Sequence, residues 1–206
     1  MNLKNITFKK EFVGRDFSQH KESTFLYNYI KKNNVNLPNT FVDIGSHDGV
    51  TNSNSRLFQN NGFYCIYFEP NPLLFSRLVG NTIKYNEKEI YNLAVSDKFG
   101  KVKFNIVTKK NFEGHSSIDE NGNHSVIAVS LKSIWDKEIG ILDIDAEGHD
   151  TKILKNIIDG GIRPHFVIIE SNSKEERQKQ VNILTEEYEL IHTIKVNTIW
   201  RLKKTF

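Results

Sequence analysis

Cysteine is almost missing from this chain. Cys65 stands alone among 206 residues, which excludes an intrachain disulfide and a cysteine-rich metal site. It sits in the apolar run YCIYF, the setting of a buried, unreactive thiol. No apolar run approaches the roughly 20 residues that cross a bilayer, and the opening MNLKNITFKK lacks the apolar core of a signal peptide. A cytoplasmic protein with no membrane partner is expected. Charge of one sign is not in excess either. Lys and Arg number 28 against 25 Asp and Glu, and the lysines are scattered rather than blocked. A nucleic-acid partner is not expected, because its affinity would need clustered phosphate contacts. Internal repeats, low-complexity tracts and linkers are absent as well. The length fits one domain over 1–206, an amino-terminal arm and helix over 1–36 and a core over 37–206.

What is present is an alternation of helical and strand patterns. After an arm over 1–16, apolar residues at helical spacing mark a helix from Glu22 to Asn33. The stretch Thr40 to Val50 then reads as a buried strand, a turn holding Gly45 and Gly49, and the start of a helix over Asn52 to Asn61. Glycines at such a turn let a ligand approach the main chain, and the amides of the turn could hold a polar group. A strand follows from Phe63 to Phe68, then a helix capped by Asn71 with Pro72 in its first turn. Further strands are expected at Ile90 to Val95, Lys101 to Val107 and Val126 to Val129, the last two as a hairpin around a long polar loop from Thr108 to Asn123. A short helix over Ser130 to Lys137, a strand over Ile139 to Ile144, a helix over 149–159 and a strand over His165 to Ile169 come next. The chain closes with a charged helix from Lys174 to Glu186 and a hairpin of Tyr188 to Ile194 with Thr198 to Leu202.

Alternating strands and helices imply an α/β fold: a mostly parallel sheet covered on both faces, with the terminal hairpin adding an antiparallel strand. Ligands of such sheets lie beyond the carboxyl ends of the strands. Each of those ends carries polar residues here: Gly45 to Gly49, Glu69, Ser96-Asp97, Asp145 with Glu147, and Glu170. One acid at a strand end is an ordinary solvated turn former; a succession of them along one rim points to a ligand site.

Read in order, DIGSHDG, FEPNP, LAVSD and LDIDAEGHD resemble the FkbM-type methyltransferases, which use S-adenosylmethionine. The phrase FSQHKE, from Phe17 to Glu22, is similar to a short segment preceding the first helix in one branch of that family. The resemblance runs from about Phe17 to Glu170 and implies a Rossmann-like, seven-stranded class I methyltransferase fold. It implies that Gly45, Ser46 and His47, with Asp43 beneath them, meet the methionine end of the cofactor, and that Gly49 opens the following helix. It places Glu69 on the two ribose hydroxyls, which a carboxylate can accept together, and Ser96 and Asp97 beside adenine. Gln19 and Ser53 complete the implied cofactor set. The chain departs from the family wording at His47, Asp143, His149 and Asp150. Asp143 and Asp145 share one strand face, with Glu147 just beyond, and three neighbouring acids cannot all ionise cheaply.

The implied reaction is O-methylation of a small molecule or glycan. Asp145, with Glu147 or His149, is expected to orient the acceptor or take its proton, His149 having the more suitable ordinary pKa. An alternative role for Asp145 is holding the cofactor's ammonium. Mg²⁺ stands as an alternative only, on Asp145, Glu170 and Asn172; no residue is assigned as a metal ligand. Two rival functions are an NAD-dependent enzyme and a catalytically idle scaffold. The first is disfavoured because G-x-x-x-G replaces G-x-G-x-x-G. His115-Ser116-Ser117 beside Asp119 matches a hydrolase set by residue type alone, with no G-x-S-x-G elbow, and is read as part of a loop over the acceptor.

Overall fold

The computed structural model describes residues 14–109 and 113–203. Most of the expected arm, three residues of the long loop and Lys204 lie outside the described residues. In chain order the elements are α1 (Glu22–Lys32), β1 (Thr40–Ile44), α2 (Ser55–Asn60), β2 (Tyr64–Phe68), α3 (Pro72–Thr82), β3 (Lys88–Tyr91), β4 (Ala94–Val95) and β5 (Gly100–Asn105). A single turn of 3₁₀ helix at Glu113–His115 precedes β6 (Ser117–Ile118), β7 (His124–Val129), α4 (Leu131–Ile134), β8 (Ile141–Ile144) and α5 (Asp150–Asp159). The chain ends with β9 (Phe166–Glu170), α6 (Lys174–Leu184), β10 (Tyr188–Ile194) and β11 (Asn197–Leu202).

A seven-stranded sheet runs in the order β10-β11-β9-β8-β1-β2-β3. Its neighbours from β9 to β3 pair in parallel, and β11 is antiparallel to both β9 and β10. This is the Rossmann-like arrangement of a mostly parallel sheet. Both faces are covered, so β1 and β2 are buried along their whole length and show no polar alternation. Their side chains instead divide by period two. Val42, Ile44, Ile66 and Phe68 join Ile153, Leu154 and Ile157 of α5 on one face. Phe41, Cys65 and Tyr67 join Leu26 and Ile30 of α1 and Leu57 and Phe58 of α2 on the other. The first and last elements are clasped inside this second layer. Glu22 is fully buried, and its Oε1 accepts a 2.8 Å hydrogen bond from Asn197 Nδ2 at the start of β11.

Two expectations from the sequence need correction. The strand expected over Ile90 to Val95 is two strands in different sheets. The chain leaves the main sheet after Tyr91, where Asn92 Nδ2 donates to the carbonyls of Glu69 (2.7 Å) and Pro70 (3.1 Å). Ala94 and Val95 then pair in parallel with β7. They open a second sheet, ordered β4-β7-β5-β6, in which β6 comes out of the stretch read as loop. The helix expected to start at Asn52 begins only at Ser55, because Asp48 first folds residues 50–54 into a turn. Its Oδ1 accepts from Val50 N (2.9 Å) and Thr51 N (2.7 Å), and Asn52 has φ +54°. Ser53 Oγ then caps α2 by accepting from Arg56 N at 3.1 Å. Gly49 therefore does not open the helix. It is buried against the next layer, where a Cβ would come within 2.5 Å of Leu78 Cδ1.

Candidate active site

The carboxyl ends of β1, β2, β8 and β9 open into one cavity of about 850 Å³. The turn after β1 is its floor. Gly45 N and Ser46 N donate to the Phe68 carbonyl at 3.0 and 3.2 Å, and His47 N donates to Glu69 Oε2 at 2.9 Å. These amides are spent on β2, so they do not form the open anion cradle expected from the sequence. Their effect is to fix Glu69. Its Oε1 also accepts from Asn71 N at 2.7 Å, leaving each carboxyl oxygen one further acceptor position. Glu69 is 5% exposed, and burial raises its pKa to about 7 against the pull of the two amides and His47.

Asp43 and Asp143 face each other in the register of β1 with β8. Asp43 accepts from Ser55 Oγ at 2.5 Å and Asp143 from Asn54 Nδ2 at 3.2 Å. Burial raises both, Asp43 to about 6. Beyond them stands Asp145, whose side chain is open to the cavity yet hemmed in by protein. That enclosure first, and then the charges of Glu170, Asp150, Glu147 and Asp143, hold its pKa well above the ordinary carboxylate range. Burial, and then the charge of Glu147, raise the pKa of the neighbouring Glu170 as well, so ionising both carboxyls together is costly. Glu147 follows at φ +48° and meets His115 Nδ1 at 3.2 Å. His149 is half-buried on the same wall, and burial followed by the Lys152 charge keeps it below its ordinary value, hence neutral at neutral pH.

The loop that carries Asp145, Ala146 and Glu147 is held from beneath by Asp150, which is fully buried at the first turn of α5. Its carboxylate accepts from Ala146 N (2.7 Å) and Gly148 N (2.9 Å). Asp150→Ala would take from both amides the charged acceptor that holds the loop. We expect it to cost about 2–4 kcal/mol of stability, read as a lowered denaturation midpoint with unchanged slope; a loss below about 0.5 kcal/mol would contradict this anchoring role.

Gln19, Asp43, Gly45, Ser46, His47, Ser53 and Glu69 line the cavity, as do Asp145, Glu147 and His149. Gly49 lies behind it. Ser96 and Asp97 do not line it; they face a neighbouring cleft of about 310 Å³ that shares His149 and Ile118 with the main cavity. Ser96 Oγ donates to Asp97 Oδ1 at 3.0 Å within that cleft. Among the described residues no group of three or more His, Cys, Asp or Glu is placed to hold a metal ion. Asn172 turns its amide nitrogen, not its oxygen, to Glu170 Oε2 at 3.1 Å. No described helix is long and apolar enough to cross a membrane.

The family model of the methyltransferase FkbM domain matches residues 43–195. The chain belongs to the FkbM methyltransferase family. No curated protein matches it. Among solved structures it is similar to the methyltransferase FkbM from Methylobacillus flagellatus KT, at 13% identity and a TM-score of 0.58, over 84% of this chain and 46% of that one. It thus spans under half the length of that FkbM protein. A protein of Escherichia coli described as a methyltransferase, yhhF, aligns at 10% identity and a TM-score of 0.54, over 94% and 89% of the two chains. A protein of Pyrococcus horikoshii described as an RNA methyltransferase aligns at 11% and 0.51, over 94% and 92%. At these identities the structures attest the fold alone.

In this FkbM domain the sequence reading missed an entire wall. Pro70, Leu74, Ala94, Val95, Phe104 and Ile118 make an apolar side to the cavity next to Glu69. The alternation of β5 could have turned Phe104 inward; Pro70 and Leu74 follow β2 into α3, and Ala94, Val95 and Ile118 depend on the second sheet. Gly114, His115 and Ser116 also line the cavity. A Cβ on Gly114 would lie 3.2 Å from His47 Cδ2, and Asn71 Nδ2 donates to Ser116 Oγ at 3.2 Å. With the contact between His115 and Glu147, this short span rests on the ends of β1, β2 and β8.

Proposed function

We propose that this FkbM methyltransferase transfers a methyl group from S-adenosylmethionine to a hydroxyl of a sugar, glycan or secondary metabolite. The observation that carries the reading is the placement of Glu69 and the apolar wall at one end of a single cavity and of Asp145 and His149 at another part of its lining. The cavity falls within the roughly 300–1,000 Å³ of small-ligand sites. The residues present fit the cofactor: Glu69 keeps acceptor positions for two ribose hydroxyls, the apolar wall suits a purine, and Asp43 and Asp143 suit an ammonium group. When bound, the cofactor supplies an electrophilic methyl on a sulfonium.

The chain's own residues do the rest. Asp145 and Glu170 orient the acceptor hydroxyl through hydrogen bonds to their carboxyl groups. His149, neutral at neutral pH, takes the hydroxyl proton as the oxygen attacks. The span from Gly114 to Ser116 limits water in the part of the cavity that it lines. A positioned base of this kind contributes about 10²–10⁴-fold.

Calorimetry with S-adenosylmethionine and with NAD, followed by a mass-spectrometric screen of glycan and metabolite extracts for a 14 Da gain (a CH₂ increment), tests the reading. Once an acceptor is found, His149→Gln is expected to lower kcat about 10²-fold or more with cofactor affinity unchanged. Tight NAD binding with no response to S-adenosylmethionine would overturn the reading. Cofactor binding with no methylated acceptor would favour an idle scaffold.

A further inference from the structure

The cleft beside the active site differs in charge, its lining carrying a small excess of lysines over acids. The main cavity is lined by Asp43, Glu69, Asp145, Glu147 and Glu170, and Arg77 is the one lysine or arginine among its described lining residues. The neighbouring cleft, of about 310 Å³, is lined by Lys98, Lys101, Lys103 and Lys152. These come from three places in the chain: the turn after β4, one face of β5, and the first turn of α5. Convergence of cations from separate elements is what a binding cleft needs and what a solvated helix face does not produce.

Asp97, Asp119 and Glu120 line this cleft too, so four lysines stand against three carboxylates, none of them paired with a lysine among the described residues. Asp97 Oδ1 accepts from Ser96 Oγ at 3.0 Å, and Asp119 Oδ1 from Asn121 N at 2.8 Å, so both serve their own turns. Glu120 is exposed at the turn leading to β7. None of the four lysines makes an ion pair within the described residues. Their charge nevertheless reaches the catalytic wall. Lys152 stands one helical turn from His149, and after burial it and Lys98 are what lower the histidine's pKa, against Asp97. His149 and Ile118 line both spaces, so a ligand seated among the lysines abuts the proposed base.

We infer that the methyl acceptor carries an anionic group, a phosphate or a carboxylate, which seats in the lysine cleft while its reacting hydroxyl lies past His149 in the main cavity. An anion entering the main cavity would meet acids of its own sign; in the side cleft it meets uncommitted ammonium groups. A flexible acceptor is thereby oriented end to end: the anion fixes one end and the Asp145–Glu170 pair receives the other. The inference rests on the methyltransferase reading for the role of the hydroxyl, but the anion site stands on its own residues.

The test is calorimetry on the full chain, with and without saturating S-adenosylhomocysteine, using glucose 1-phosphate, glucuronate and glucose as probes. Both anions are expected to bind at least 10-fold more tightly than glucose at low salt, and this preference should shrink as salt is raised. The exposed pair Lys101→Ala/Lys152→Ala should abolish the preference while leaving S-adenosylhomocysteine binding within 2-fold. A preference for glucose 1-phosphate alone identifies phosphate as the anion, and one for glucuronate alone identifies carboxylate. Equal binding of all three probes, no binding of any, or a preference that survives the double substitution overturns the inference. If the anions bind but S-adenosylhomocysteine does not, the lysine cleft stands and the methyltransferase reading falls. The reverse pattern removes the cleft and keeps the enzyme.

Discussion

Gly45→Ala is expected to leave little native protein. A Cβ at this position would lie 1.7 Å from the carbonyl oxygen of Asp145 and 2.8 Å from its carbon, and the residue has φ +85°. The left-handed backbone alone costs about 1–2 kcal/mol for a residue with a side chain. The overlap is with backbone, not with the end of a flexible side chain. Relief requires moving the end of β1 away from β8, which would break the 3.0 Å hydrogen bond from Asp145 N to the Ile44 carbonyl. A total of several kcal/mol is a large part of a typical domain stability of about 5–15 kcal/mol. Gly62→Ala is the control: φ is +90° there too, but nothing lies within 4 Å of the added carbon. Thermal melts of the two variants should separate by 10 °C or more. Equal melts would mean that strain, not the approach of the two strands, fixes Gly45.

The second large effect concerns Glu69. Glu69→Ala removes the acceptor of His47 N and Asn71 N along with both positions offered to the ribose hydroxyls. Hydrogen bonds to a charged group contribute about 1.5–3 kcal/mol each, so S-adenosylmethionine affinity should fall at least roughly 100-fold. Glu69→Gln keeps the shape and loses the charge. Because burial puts the Glu69 pKa at about 7, the wild-type affinity should rise as pH increases from 6 to 8 and the carboxyl ionises. The Gln variant should show no such rise. The sign for folding is opposite. The folded chain holds this proton between the ordinary carboxylate range and pH 7, so Glu69 contributes less stability as pH climbs through that window. Calorimetry across pH 5.5–8.5 measures the binding; a flat wild-type profile would remove Glu69 from cofactor recognition.

What could be read in advance follows the range of the interactions. Buried strands such as Phe41 to Ile44 and the helix around Ile153, Leu154 and Ile157 declare themselves through local apolar patterns. Rossmann-like alternation then sets the rim on which Glu69, Asp145 and Glu170 stand. The FkbM resemblance supplied what no local pattern contains, namely the cofactor class. Which cleft Ser96 and Asp97 face could not be read, because only the departure of the chain at Asn92, held by carbonyls more than 20 residues away, decides it. β6 is two residues long and has no period to detect. Asp150 reads as one more charged residue at a helix start. Its importance lies in the two amides it receives, and those depend on the strained turn at Glu147. The lysine cleft is equally invisible in the sequence, since Lys101 and Lys103 meet Lys152 only through packing of the second sheet near α5.

The clasp between Glu22 and Asn197 bears on how the chain is made. A ribosome releases α1 long before β11, and until those last strands emerge Glu22 lacks its Asn197 partner in the inner layer. The nascent chain can assemble β1, β2 and their helices, but it cannot bury that carboxylate well until residue 197 arrives. Closure of this inner layer around Glu22 therefore waits for β11. Cofactor capture should follow the emergence of β11 rather than that of β1 and β2.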